Sequence, residues 1–165
     1  MKPVDFHNDV LPLKDKLFRV ALRITLDRTE AEDITQETLV RVWERRNEWS
    51  QIENLEAWCL TIARRLALDH VQHSKMQMEK EADIADYQLS VTDVPVLPDE
   101  ALDRQQRVEA VLRLIDQLPE VQRTIIQLRD IEGLRYEEIA RITELSETQV
   151  KVYLHRARKK IRDFL

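Results

Sequence analysis

Gly133 is the only glycine in a chain of 165 residues. That scarcity constrains the backbone more than any other feature. Tight hairpins and left-handed turns draw on glycine, and the sequence has neither strand-like alternation nor a hairpin dipeptide. Charged residues make up 35% and hydrophobic ones 43%, a balance suited to amphipathic helices around globular cores. The fold class is therefore all-α. The length allows one domain or two small ones.

The formal net charge of −5 argues against a simple autonomous basic DNA binder. The acids are unevenly spread, however. Met76 to Asp103 holds eight Asp or Glu against Lys80 alone, and this stretch separates two segments richer in basic residues. The expected organisation is two small helical domains, 8–75 and 99–165, joined by an acidic linker, 76–98. Ser74, Pro95 and Pro98 punctuate the linker, with room for a helical turn around Ile84–Leu89. A lone cysteine, Cys59, rules out an internal disulfide framework and fits a reducing cytoplasm. No apolar run of signal-peptide type opens the chain and no stretch approaches a membrane span, so a cytoplasmic protein without membrane insertion is expected.

The C-terminal stretch 135–162 has the pattern of a helix-turn-helix. Tyr136–Ala140 makes a short helix, and Ile142-Thr143-Glu144-Leu145 the turn. Ser146 is a good N-cap, and Gln149 completes a capping box. The following helix runs to about Phe164. Val150, Leu154, Ala157, Ile161 and Leu165 form one apolar stripe. Lys151, His155, Arg158 and Arg162 form a parallel basic stripe, and Thr148, Val152 and Lys159 project roughly opposite the core. Ser146 to Leu165 carries six Lys or Arg against Glu147 and Asp163, a footprint for phosphates. Such a helix can lie in a major groove. The alternative is a solvated surface helix whose basic end follows the helix dipole.

Earlier in the chain, Leu13, Leu17, Val20, Ala21 and Ile24 give a first helix over Leu11–Leu26. Thr29 with Glu32 reads as a capping box opening a second helix, Glu30 to about Arg46. Its core side is Ala31, Ile34, Thr38 and Val42. Its other side combines Asp33, Gln36, Glu37, Val40, Trp43 and Glu44. Two readings fit: a docking surface for a partner helix, or a solvated face with Trp43 tucked into the core. Residues 47–54 form a polar loop containing Trp49, and Asn54 can cap the next helix, Leu55 to about His73. That helix is apolar nearly all round and should be the most buried of the first domain. Arg64 and Arg65 interrupt it. With the aromatic loop they could hold single-stranded bases; otherwise the arginines snorkel and Trp49 is buried. Asp99 is expected to cap a helix to about Gln117, and Pro119 to open another to Ile131. Gly133 sits where a left-handed C′ residue is wanted.

Nothing points to catalysis or a cofactor. One glycine cannot build a phosphate loop, and neither a nucleophile elbow nor paired-cysteine zinc spacing is present. Asp69, His70 and His73 cluster on one helix without a further identifiable metal ligand.

These segments resemble a known family. Glu30-Ala-Glu-Asp-Ile-Thr-Gln-Glu-Thr-Leu-Val-Arg-Val-Trp43 resembles region 2 of sigma-70 family initiation factors, and Trp58-Cys-Leu-Thr-Ile-Ala-Arg-Arg-Leu-Ala-Leu-Asp69-His resembles the helix that follows. Leu118-Pro-Glu-Val-Gln-Arg, Leu128-Arg-Asp-Ile-Glu-Gly-Leu-Arg-Tyr-Glu-Glu-Ile-Ala140 and Val150-Lys-Val-Tyr-Leu-His-Arg-Ala-Arg158 resemble region 4. The order matches, and the absence of any domain between the halves resembles the extracytoplasmic-function (ECF) subgroup. The resemblance implies a factor that joins core RNA polymerase, contacting its β′ coiled coil and β subunit, and directs it to promoters. It implies docking through Asp33, Gln36, Glu37, Val40 and Trp43. It implies −10 element contacts from Asn47, Trp49, Ser50, Asn54, Arg64 and Arg65, which capture an unstacked base. It implies −35 contacts from Thr148, Lys151, Val152, His155, Arg156 and Lys159, with Arg158 toward phosphates. Both duplex and single-stranded promoter DNA are therefore implied partners, as is an anti-sigma factor. Two positions depart from the family pattern: Val152-Tyr153 replace a usual Ser-Arg, and Arg65 replaces a common asparagine. The free protein is expected to be inhibited, the acidic linker masking two basic surfaces. The competing readings are a stand-alone duplex-binding regulator and an antagonist occupying the polymerase docking site.

Overall fold

The computed structural model describes residues 3–81 and 103–164, and every regular element among them is helical. Two short turns, Phe6–Val10 and Leu11–Leu13, lead into α1 (Lys14–Thr25), which buries Leu17, Val20, Ala21 and Ile24. It ends at Leu26, whose φ of 57° is left-handed although the residue is not glycine. Helix α2 (Arg28–Glu44) starts two residues before the expected position. Asp27, not Thr29, is its cap, accepting from Glu30 N at 3.0 Å. A short carboxylate placed right after the left-handed turn reaches the free amides first.

A 3₁₀ turn, Arg46–Gln51, connects to α3 (Leu55–Glu81). Asn54 caps it as expected, accepting from Ala57 N at 3.0 Å. Cys59, Leu60, Ala63 and Ala67 are fully buried, which makes α3 the centre of the first bundle. The helix continues beyond His73 to Glu81, into the stretch expected to be linker. Residues 75–81 are strong helix formers without proline or glycine, so nothing local ends the helix there. The suggested helical turn at 84–89 and the Asp99 cap lie outside the described residues.

Helix α4 (Arg104–Asp116) is capped by Asp103, which accepts from Gln106 N at 2.8 Å. Pro119 is the N-cap of α5 (Glu120–Ile126) rather than its first helical residue, and a wider turn continues to Ile131. Gly133 has φ +76°, the left-handed geometry its position asks for. Helix α6 (Tyr136–Thr143) ends at Glu144, φ 60°. Helix α7 (Glu147–Asp163) opens with both arms of the expected capping box: Gln149 N donates to Ser146 Oγ at 3.1 Å, and Ser146 N to Gln149 Oε1 at 3.0 Å.

Helices α1 to α3 form one bundle and α4 to α7 another, but they are not apart. α5 packs on α1 and α6 on α3, and the buried residues of both bundles form one continuous cluster from Val10 to Ala157. Arg123 of α5 ties the seam. Its guanidinium donates to Arg23 O at 2.7 Å, Ile24 O at 3.2 Å and Leu118 O at 2.7 Å. A cation thereby meets the C-terminal carbonyls of α1, where the helix dipole is negative.

Candidate nucleic-acid and partner interface

Asp33, Gln36, Glu37, Val40 and Trp43 all lie on the exposed side of α2, opposite buried Ala31, Ile34, Thr38 and Val42. Val40 is 55% exposed and Trp43 47%, so Trp43 is not in the core. The face is uncovered, and the expectation of Trp43 tucked into the core is the part that the structure overturns. Glu37 pairs with Arg41 at 3.0 Å.

Trp43 is held from the side. The Phe6 ring meets it edge-on at 5.5 Å, Trp49 lies 6.2 Å away, and Arg46 stands over it at 4.6 Å. Phe6 escaped the sequence reading because the lead-in has no periodicity. Its one signal was an aromatic residue beside a capping aspartate, Asp5, which accepts from His7 N.

The −10 candidates divide. Asn47 and Ser50 are exposed. Trp49 is not an open stacking platform: it is 9% exposed, and its indole Nε1 donates to Val42 O at 3.1 Å. The 3₁₀ turn folds the ring inward because an apolar ring with one donor gains more from that carbonyl than from water. Arg64 is likewise buried, at 9%, and its Nη2 lies 3.8 Å from Glu120. Trp49 and Arg64 thus lie in the interior and not at the surface where −10 contacts were expected. Asn54 donates from Nδ2 to Glu138 Oε2 at 3.0 Å, and Arg65 donates to Glu144 Oε1 at 2.7 Å. Both acceptors belong to the other bundle.

On α7, Val150, Leu154 and Ala157 are buried, and Thr148, Lys151, Val152, His155, Arg156, Arg158 and Lys159 are exposed. Val152 is 42% exposed. Lys151 stands over the Tyr136 ring at 5.3 Å and Arg156 over Tyr153 at 5.8 Å. Arg158 makes a bidentate pair with Asp130, 3.0 and 2.5 Å. Its pKa is raised, chiefly by that hydrogen bond. The pair aims the guanidinium and partly neutralises it.

One feature needed the tertiary structure. An open groove of about 970 Å³ runs between α4 and α7. Val108, Val111, Leu112, Ile131 and Ile161 line its apolar floor, and Arg104, Arg107 and Arg162 stand on its rim. Val108 and Ile131 are 51% and 44% exposed. Within the first bundle, His70 of α3 contacts Glu30 of α2 at 3.0 Å. No group of three or more metal-ligating side chains occurs among the described residues.

A helical bundle with an exposed acidic-aromatic face, followed by a capped helix-turn-helix with a basic face, defines a DNA-binding protein of the transcription-factor class. The comparisons narrow this. Residues 10–75 match the family model for sigma-70 region 2, and residues 108–161 that for sigma-70, region 4. The chain is similar to the ECF RNA polymerase sigma factor SigE of Mycolicibacterium smegmatis, 34% identical over 152 residues, covering 92% of this chain and 58% of that protein. It is also similar to the ECF RNA polymerase sigma factor SigF of Caulobacter vibrioides, 31% identical over 131 residues, covering 79% of this chain and 68% of that one. The fold resembles the sigma factor RpoE of Bartonella quintana, solved in complex with the anti-sigma factor NepR, with a TM-score of 0.76 at 23% identity, covering 97% of this chain and 96% of that one. The chain belongs to the ECF group of the sigma-70 family of RNA polymerase sigma factors.

Proposed function

We propose that this chain docks on core RNA polymerase through the outer face of α2 and directs promoter-specific initiation by reading −10 and −35 elements. The observation that carries the reading is the uncovered face of Asp33, Gln36, Glu37, Val40 and Trp43, in a chain whose halves match regions 2 and 4. Asn47, Ser50, Asn54 and Arg65 are assigned to the unpaired −10 strand, and Thr148, Lys151, Val152, His155, Arg156, Arg158 and Lys159 of α7 to the −35 duplex. No catalytic step enters the reading, and the polymerase partner implies a cytoplasmic site of action. No helix among the described residues is long and apolar enough to cross a membrane.

Co-purification with bacterial core polymerase tests this, wild type beside the Asp33→Ala/Gln36→Ala/Glu37→Ala variant, followed by run-off transcription on genomic fragments. Stoichiometric binding lost in the triple variant, with defined start sites for the wild type, is expected. Binding without start sites would instead mean an antagonist, and duplex binding without polymerase a stand-alone regulator.

Two details extend the proposal. Val152 takes the place of a polar residue at the duplex face, and we assign it to a thymine methyl in the major groove, an apolar contact that groove offers. Val152→Ser should relax preference at one −35 position on a set of promoter variants; unchanged preference at every position would sink the assignment. The α4–α7 groove, apolar with a basic rim, suits an apolar helix flanked by acids. We assign it to a protein partner, the β subunit of the polymerase or an anti-sigma factor of the kind bound to the similar RpoE. A Val108→Glu variant should bind such a partner at least roughly tenfold more weakly, as a charge set into an apolar contact does. Unchanged affinity would remove the groove from the interface.

A further inference from the structure

Trp43 is exposed but not loose. The Phe6 ring lies across it at 79°, centroids 5.5 Å apart, and Trp49 approaches at 6.2 Å and 65°. The Arg46 guanidinium stands 4.6 Å over the indole, and its Nη1 donates to Trp43 O at 3.1 Å. With all three in place the residue still keeps 47% of its surface open. The contacts form a chain that starts in the core. Val42 O fixes the Trp49 indole at 3.1 Å. Phe6 stacks on Trp49 at 6.4 Å and 15°, and Phe6 in turn abuts Trp43.

The Phe6–Val10 turn that delivers this ring is tied down by polar and apolar contacts. The Asp5 carboxylate accepts from His7 N at 3.3 Å and from Asn8 Nδ2 at 2.5 Å. Asp5 N donates to Asp9 Oδ2 at 2.8 Å, and Val10 is fully buried. His7, Asn8 and Asp9 are exposed, so within the turn Phe6 and Val10 are the side chains packed on the bundle. The match to sigma-70 region 2 starts at residue 10. Phe6 and its capping aspartate therefore lie outside the matched region and are an addition of this chain to it.

We infer that Phe6 is a positioning residue for polymerase docking: it holds the Trp43 indole in one orientation, so that the docking surface depends on the Phe6–Val10 turn as well as on α2. An exposed side chain samples several rotamers, and a partner that binds it must order it on contact. Here the order exists beforehand. Aromatic rings attract when the positive edge of one meets the negative face of the other, and the 79° angle is that arrangement. A guanidinium over the indole adds a second attraction to a ring face. The inference rests on the proposed docking through α2 and adds a residue that acts on the partner only through Trp43.

The test is a double-mutant cycle on the full chain. Affinity for core polymerase is measured for wild type, Phe6→Leu, Trp43→Ala and the double variant, with denaturant unfolding of each alongside. Phe6→Leu keeps an apolar side chain in the gap and removes the ring. It should weaken binding about fivefold, the size of one aromatic pair, while Phe6→Tyr binds like wild type. In the Trp43→Ala background Phe6→Leu should change affinity no further, because its effect passes through the indole. An equal loss in both backgrounds would mean that Phe6 acts on the partner or the fold directly, and overturns the positioning role. Wild-type affinity of Phe6→Leu overturns it as well. A second readout needs no polymerase. Fluorotryptophan is incorporated, and the Trp43 fluorine resonance is identified by its loss in Trp43→Phe. Phe6→Leu should shift and broaden that line as the ring current and the restraint disappear; an unmoved line overturns the ordering. If Trp43→Ala binds polymerase as tightly as wild type, the docking reading fails at that residue and the purpose assigned to Phe6 fails with it, while the fluorine line still decides whether Phe6 orders the ring.

Discussion

Trp49 and Cys59 show how burial decides what a side chain can do. Trp49 sits in a polar loop and could have faced solvent, yet the backbone carbonyl of Val42 draws its indole inward. Trp49→Phe keeps the packing and removes the donor. We expect a loss of about 1 kcal/mol in denaturant unfolding, with little change in strand binding at an assigned base contact. A large binding loss at unchanged stability would return Trp49 to the nucleic-acid surface. Burial pushes the Cys59 thiol up to about 12, helped by the charge of Glu56. Thiolate is the reactive form. A thiol reagent near neutral pH should therefore leave native Cys59 unmodified and react promptly in denaturant; equal rates would mean that α3 opens readily.

Helix ends carry the element scale. Ser146 and Gln149 satisfy each other's amides at the start of α7, so Ser146→Ala should cost about 1 kcal/mol of stability. The effect should concentrate in the first turn, which hydrogen exchange reads directly. Because that turn carries Thr148 and Lys151, duplex affinity should fall with it. Gly133 closes the helix before the turn at φ +76° with open space around its α-carbon. Gly133→Ala meets no clash, and its cost is conformational alone, about 1 kcal/mol. A neutral result would mean that the turn relaxes to another geometry. The sequence pointed to these two ends because capping chemistry is local. It pointed less well to the start of α2 and the end of α3. Thr29 and Asp27 are both competent caps, and the choice between them depended on where α1 released the chain.

At the scale of the whole molecule, pH acts through the seam. Burial raises the Glu132 carboxyl, but the hydrogen bonds from Arg19 and Gln127 and the nearby charges outweigh it. Glu138 is raised by burial and lowered further, chiefly by Arg135 in the cap of its own helix and then by Asn54 across the seam. Both end below the ordinary value of 4.5. A carboxyl depressed in the folded chain stabilises the fold above its ordinary pKa, and the contribution is lost as pH falls through the depressed value. Stability in denaturant unfolding should therefore hold steady above about pH 5 and decline below about 4.5. A Glu132→Gln variant should lose part of that acid dependence; an unchanged pH profile would place the acid-sensitive groups outside the seam.

The sequence by itself determined the helices, their apolar faces and both candidate surfaces. Periodicity is written in the residue order: Ala31, Ile34, Thr38 and Val42 could share only one side of α2, which put Asp33, Gln36, Glu37, Val40 and Trp43 on the other. The same logic set the exposed and buried sides of α7. Which of those surfaces is free was decided only by tertiary structure. Arg64 and Arg65 are neighbours in sequence, but one is buried near Glu120 and the other reaches Glu144 at the surface. Phe6 joins Trp43 across a span of 37 residues, and the α4–α7 groove exists only because those helices meet. Periodicity reports the side of one helix. Which distant helix covers that side depends on how all of them pack, and in this chain on pairs such as Asn54 with Glu138 and Arg65 with Glu144 that no local pattern makes.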